Sequence, residues 1–555
     1  MPERAARANR TGTSGALRGA GGPTRDGAPV SLSRRGFLAA SAAALVGLGR
    51  KSPRKIAGGF VDPSTALGHR LRDGGGAFDA PRRTVRVPVV IVGGGIAGLS
   101  AAWRLTRRGL GDFVLLEMEP DAGGNAAWGE NEVTAYPWAA HYVPLPGSRA
   151  ALVRELFEDL GVLRGGAWEE RMLCFDPKER LYIHGEWQPE LESALDFRPR
   201  DRDDFRRFRE RVAELRATGE LTIPMAPGSE AGAPRTAALD ALSMGEWLRR
   251  EGFTSEALRW YVDYACRDDY GALASSTSAW AGAHYFAARD GDDAGAGPLT
   301  WPEGNGWVVR RLLERLGDRV VTGAPAYRVE RAGRRLRVLT PGVAYDAESV
   351  VFAAPTFTAP YVVEGMEALR GRLPFVYSPW LTANLTLERW PRELGRASVP
   401  PAWDNVLYDS PGLGYVVATH QSLRAQPARE ERTVWTYYLP LARQAPAAAR
   451  QTLLARGWGE WVEAILADLS RAHPDVRDCV SRVDVRRMGH AMVRPAPGFL
   501  HSPQRLRLAG PDAGGLPRLF FANSDLSGLS LFEEAQQRGV MAADRALAAV
   551  GGARG

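Results

Sequence analysis

Four side chains able to hold or orient a proton stand out: His141 in WAAHY, Asp269 and His284 in the aromatic-rich stretch Trp260 to Arg289, and His490 in RMGHAMVRP. Imidazoles and carboxyls serve as acids, bases or hydrogen-bond acceptors near neutral pH, and each of the four is equally readable as a buried structural group. A different chemistry is written at Gly93, Gly95 and Gly98, which have G-x-G-x-x-G spacing. The first glycine permits a tight turn, the second lets a pyrophosphate approach the backbone, and the third lets a helix sit close to the preceding strand. Cys174, Cys266 and Cys479 are scattered, without C-x-x-C or metal-ligand spacing. They read as small buried apolar residues, and no metal site is expected.

The glycines need a strand before them and a helix after them, and the sequence provides both. Val89 to Val92 form a short apolar run that reads as a buried parallel strand. A helix follows from about Ile96 and Ala97 to Arg108, its first free N–H groups directed at the phosphates. Phe113 to Leu116 reads as the next strand. It ends at Glu117, 19 positions after Gly98, where an acid binds the adenosine ribose hydroxyls. At the far end, LFFANSDLSGLSLFEEAQQRG from Leu519 reads as strand, polar turn and helix. Ser530 and Glu533 have capping-box spacing, predicting a helix start near Leu531.

After Glu117, the Gly123–Gly124 pair resembles the second signature of the FAD-dependent amine oxidase and phytoene desaturase superfamily, of the GR2 type. That signature usually carries a basic residue. Here Asp121, Ala122 and Asn125 surround the pair, leaving phosphate contact to backbone amides and Asn125. The likeness continues at Gly304 and Gly306, a helix to Leu316, and a hairpin in which Ala326 would meet adenine through its backbone. It also implies that Asp525 holds the ribityl chain or phosphate, and that amides near Phe532, Glu533 and Glu534 face the flavin pyrimidine edge. A helix N-terminus there stabilises the negative charge of reduced flavin. By the same likeness, WAAHY passes the flavin ring, which makes His141 the best of the four acid/base candidates.

The resemblance implies an α/β protein: a Rossmann-like FAD-binding domain with an interleaved α+β substrate domain. FAD segments are expected at 88–150, 301–356 and 486–548, with substrate segments at 151–300 and 357–485. It further implies that a substrate carbon gives up a hydride to flavin, which is reoxidised by oxygen, a quinone or another acceptor. The aromatic second half, including Trp403 and Tyr438, fits a largely apolar small-molecule substrate. Many amine oxidases use a lysine near the flavin, yet the only lysines here are Lys51, Lys55 and Lys178. That deficit favours dehydrogenation or desaturation over amine oxidation. It also leaves open an FAD-binding accessory protein without turnover.

The net charge of +7 belongs to the leader: residues 1–88 hold 16 Lys and Arg against 5 Asp and Glu, leaving 55 against 59 in the remainder. The body therefore offers nothing to nucleic acid. Residues 1–50 read as a disordered leader, and 51–87 as a linker. SRRGFL, with Arg34 and Arg35 before a short apolar stretch, resembles a twin-arginine export signal. The expectation is engagement of the twin-arginine export machinery and an exported protein, tethered to the membrane if the leader is retained. Oligomeric state is not legible.

Overall fold

The apolar run at Val89 is the buried end of a ten-residue strand, Arg83–Val92, whose first four residues are largely outside the core and whose last six are buried. In this computed structural model the described residues run from 55 to 551, excepting 74–77, 193–197, 226–233, 290–296, 396–398, 422–430 and 511–512. The Arg34–Arg35 leader lies outside them. Among the described residues no helix is long and apolar enough to cross a membrane.

Arg83–Val92 lies in a seven-stranded sheet, between Phe113–Leu116 and Val343–Phe352, both parallel to it. Val320–Val321 extends the Phe113–Leu116 edge. The other edge of Val343–Phe352 is shared. Its first half pairs antiparallel with Arg335–Thr340, and its last three residues pair parallel with Leu519–Phe521. Four parallel strands from distant parts of the chain thus end together, and Gly93, Glu117, Ala353 and Ala522 are the first residues beyond their ends. The carboxyl edge of such a sheet is where nucleotide sites form.

Helices Ile96–Arg107 and Phe532–Gly551 pack together beneath this edge. Gly539 makes the contact: a Cβ there would lie 2.1 Å from the Ala97 carbonyl oxygen. Arg104 adds a two-pronged pair with Asp544, at 2.8 and 3.0 Å.

The second sheet has eight strands, in the order Ala57–Phe60, Val480–Arg494, Val376–Leu387, Thr433–Pro440, Gly414–Val417, Asp404–Leu407, Glu179–Ile183 and Glu186–Pro189. Strand alternation separates its two faces. Tyr437, Trp435 and Tyr415 enter one core with helix Trp458–Leu469, while Tyr438, Trp403 and Val406 enter another with helices Pro199–Ala217, Met244–Arg250, Glu256–Tyr270 and Ala279–Ala287.

Several boundaries differ from expectation. Among the described residues of 51–87, Ala57–Phe60 is an edge strand parallel to Arg482–Val485 and the first nucleotide strand begins at Arg83, so these stretches are not linker. The cut at 485/486 falls inside the strand Val480–Arg494, a 15-residue run that belongs to the second sheet. Glu179–Ile183 and Glu186–Pro189 form a hairpin that turns at His184–Gly185, both with positive φ. Helices Pro446–Ala455 and Trp458–Leu469 are separate elements, because Gly457 starts the second and donates its N–H to Glu460 at 2.7 Å.

Candidate functional site

The glycine turn has one open and two closed positions. A Cβ on Gly98 would sit 1.9 Å from the Gly93 carbonyl oxygen, and one on Gly93 would sit 2.7 Å from the Ala354 amide nitrogen. Gly95 meets nothing within 4 Å. The strand and helix are therefore locked together at the first and third glycines, while the second presents bare backbone to a ligand. Glu117 is 8 % exposed and is held by two amides: Gly94 N–H donates to Oε2 at 2.6 Å and Glu119 N–H to Oε1 at 2.8 Å. Burial raises its carboxyl pKa, and the two amides oppose that rise. Each oxygen keeps a lone pair for ribose hydroxyls.

The Gly123–Gly124 pair docks on this turn. Gly123 N–H donates to the Gly94 carbonyl at 2.9 Å, and both glycines have positive φ (137° and 57°). Asn125 donates its Nδ2 to the Ala491 carbonyl at 2.6 Å, so it ties the turn to Val480–Arg494. Sequence reasoning missed a cation from that same strand. Arg486 lies 5.9 Å over the Trp138 ring, interacts with the charge of Glu119, and forms no ion pair among the described residues.

Ala326 is buried in the core beside the adenine-side strands, just after Gly323 N–H and Ala324 N–H bond the Glu119 and Glu117 carbonyls at 2.8 Å each. Asp525 is 6 % exposed, and its Oδ2 accepts from Thr356 N–H at 2.9 Å and from the Tyr377 hydroxyl at 2.6 Å. It joins the ends of two of the converging strands.

The capping box does not form. Ser530 Oγ accepts from Val493 N–H at 3.2 Å, and the helix starts at Phe532. Phe532 stacks on Phe157 at 5.7 Å. Both Glu533 carboxyl oxygens are buried without a partner, and burial pushes its pKa up to about 8. A neutral Glu533 leaves the helix's positive N-terminal pole uncancelled, with the first-turn amides available to an anion.

The four acid/base candidates separate. Asp269 is engaged by Arg289 through both oxygens, at 2.7 and 2.6 Å, and serves to hold that cation. His284 is 1 % exposed and bonds the Thr222 carbonyl at 2.9 Å, which makes it a core residue. His490 is exposed and stacks on Phe357 at 4.5 Å, close to Tyr377 and hence to Asp525. His141 stands apart from these on an aromatic wall: its ring lies 4.7 Å from Tyr438, 5.1 Å from Tyr142 and 5.4 Å from Trp403. Its main chain is tied to the Gly304 turn, where Asn305 N–H donates to the Ala140 carbonyl and Thr300 Oγ1 to the His141 carbonyl. Burial pushes the imidazole pKa down to about 4. Nδ1 lies 3.2 Å from the Ala139 carbonyl, which only accepts, so the proton belongs on Nδ1 and Nε2 keeps its lone pair.

Of the neighbouring polar residues, Asp268 and Tyr285 belong to the Trp260–Arg289 stretch whose paired aspartates and tyrosines the sequence already offers as a channel lining, while Tyr142 and Asp404 carry no such signal. Asp268, Asp404, Tyr142 and Tyr285 are part-buried, and burial raises the pKa of each. Asp404 follows Trp403 at the start of an interior strand of the eight-stranded sheet, and an acid there carries no local signal. Lys178 lies 3.6 Å from Asp176.

The paired turns, the ribose acid and the uncancelled helix pole fit a dinucleotide with a reducible ring. The family model described as "Flavin containing amine oxidoreductase" matches residues 96–547. The chain belongs to that family. A Mycobacterium tuberculosis protein named among the flavin-containing monoamine oxidases (AofH) is 26% identical over 287 residues, which cover 48% of this chain and 57% of that relative. The match thus spans little more than half of the relative's length. Among solved structures, putrescine oxidase bound to putrescine has a TM-score of 0.62 at 17% identity, covering 84% of this chain and 100% of that one. Cyclohexylamine oxidase from Brevibacterium oxydans has a TM-score of 0.61 at 17% identity and the same coverage. A fatty acid isomerase from P. acnes has a TM-score of 0.59 at 14% identity, covering 82% and 97%. At such identities these likenesses establish the fold.

Proposed function

We propose that this protein oxidises a primary amine at the carbon bearing nitrogen. The observation that carries the reading is His141. Its neutral ring presents an Nε2 lone pair from within an aromatic wall anchored to the Gly304 turn. With a pKa of about 4 this imidazole is too weak a base to store the proton of an alkylammonium. It acts instead as an acceptor that orients the N–H of the free amine and leaves the nitrogen lone pair in line with the α-carbon.

Bound FAD supplies the two-electron acceptor for the hydride that leaves that carbon. The substrate R–CH2–NH2 loses a hydride from carbon while its nitrogen lone pair forms the new C=N bond, giving R–CH=NH2+. Water then releases an aldehyde and ammonium. Tyr438, Trp403 and Tyr142 enclose the apolar part of the substrate and exclude water from the reacting carbon. No lysine is required for this sequence, since the imidazole supplies the positioning contact. The Arg34–Arg35 leader supports a further proposal, that the enzyme is exported through the twin-arginine machinery.

Product analysis tests the reading. Aldehyde and ammonium should form in equal amounts from a primary amine, one of each per two electrons transferred. Consumption of an alkane or polyene with gain of a C=C bond would overturn it.

A further inference from the structure

We propose that Asp62 and Ser64 are positioning residues for FAD: they belong to a strap, outside the family-matched part of the chain, that fixes the ribose acid Glu117 from behind and slows loss of the cofactor. The family match starts at residue 96, and the first nucleotide strand at Arg83. The strap is the stretch before both, from Ala57 to Arg72. One end of it belongs to the second sheet. Ala57–Phe60 runs parallel to Arg482–Val485, so closely that a Cβ on Gly58 would lie 1.9 Å from the Val483 carbonyl oxygen. Val61 N–H donates to the Val485 carbonyl at 2.8 Å. Asp62 then accepts three bonds from Arg487: the backbone N–H reaches Oδ1 at 2.9 Å, and Nε and Nη2 reach Oδ2 at 3.0 and 2.6 Å.

The other end belongs to the nucleotide half. Ser64 N–H lies 3.0 and 3.1 Å from the two carboxyl oxygens of Glu119, and its hydroxyl donates to Oε2 at 2.8 Å. Glu119 is the residue that aims the ribose acid. Its N–H donates to Glu117 Oε1 at 2.8 Å, and its carbonyl accepts from Gly323 N–H at 2.8 Å. A continuous run of bonds thus leads from the second sheet through Arg487, the Asp62–Ser64 turn and Glu119 to the carboxylate assigned to the ribose. Past the helix Thr65–Arg72, Phe78 lies parallel to Tyr327 at 5.1 Å, one residue beyond Ala326, and the Arg70 guanidinium sits 4.3 Å from the Phe78 ring. The chain therefore touches both the ribose loop and the hairpin assigned to adenine.

Two observations give these ties a role in holding FAD rather than in building the core. Helix Thr65–Arg72 has no buried side chain, so this part of the strap adds little apolar packing. At the Gly123–Gly124 turn the Asn125 amide is given to the Ala491 carbonyl, which leaves a diphosphate there to backbone amides. The grip on the cofactor then depends on a Glu117 already fixed in place, since an acceptor ordered in advance loses less freedom on binding. The proposal holds whichever substrate the flavin oxidises.

The test dilutes the FAD-loaded full chain and follows the appearance of free flavin by fluorescence. Ser64→Ala and Asp62→Ala should each release FAD ~10-fold faster than wild type, the factor that one charge-assisted hydrogen bond carries. Ser64→Thr keeps the hydroxyl and should release it near the wild-type rate. The thermal midpoint of the cofactor-free protein separates positioning from folding, and in Ser64→Ala it should stay within about 2 °C of wild type. Wild-type release rates in both alanine variants overturn the proposal. Faster release accompanied by a cofactor-free midpoint ~5 °C or more lower in Ser64→Ala overturns it too, because the strap would then only brace the fold. If Asp62→Ala does not fold, Ser64→Ala and its threonine counterpart decide: equal release from the two is the overturning result.

Discussion

Glu533→Gln isolates the electrostatics at the start of the final helix. Glu533 is fully buried, its two carboxyl oxygens have no partner, and its pKa stands at about 8 against an ordinary 4.5. Because the folded value is raised, the native state holds a proton that the unfolded chain has released throughout that window. Stability from this group is therefore complete below about pH 4.5 and declines as pH rises, by ~1.4 kcal/mol per unit, until ionisation near pH 8. Between pH 5 and pH 8 the loss is about 4 kcal/mol. Glutamine has the same shape and no titration, so its thermal midpoint relative to wild type should climb across this range. For a chain of this length ~1 kcal/mol corresponds to about 1–2 °C, giving a relative gain of about 4–8 °C. The unpartnered amide protons of glutamine cost ~1–3 kcal/mol at every pH, which offsets the curve without changing its slope. The assay is thermal unfolding of both FAD-loaded proteins at intervals from pH 5 to pH 8. A midpoint difference that does not vary with pH would refute the assignment of a neutral buried carboxyl.

Other substitutions separate folding from cofactor binding. Gly98→Ala drives a Cβ into the Gly93 carbonyl and should lower both thermal stability and the flavin-to-protein absorbance ratio. Gly95→Ala meets no protein atom and should unfold near the wild-type temperature while retaining markedly less FAD. Asn125→Ala removes the bond to the Ala491 carbonyl, at ~1 kcal/mol in denaturant titration. Replacing Arg34 and Arg35 with lysine should trap the protein in the cytoplasm by cell fractionation, whereas unchanged export would exclude the twin-arginine route.

The nucleotide half was legible because its constraints are local. A Cβ-free turn, a buried strand and an acid at fixed spacing are each written within a few residues of Gly93, Gly123 and Ser530. The substrate half was not legible, because it depends on contacts between residues far apart in the chain. His141 meets Trp403 and Tyr438 only when the second sheet closes on the Gly304 turn. Asp268, on a helix, raises the proton affinity of Asp404, on a strand far away in the chain. Asp269, which looked equivalent to its neighbour, points to Arg289 instead, since successive helical positions diverge by about 100°. Ser530 and Glu533 show the opposite failure: a correct local spacing was overridden when Val493 claimed the serine hydroxyl.

The central claim is amine oxidation at a flavin, and the most direct measurement is the visible spectrum of the FAD-loaded protein mixed anaerobically with a primary amine. The predicted result is full loss of the oxidised flavin band, then its return when oxygen or a quinone is admitted. Retention of the band with every primary amine, together with its loss on adding an apolar polyene, would contradict the claim.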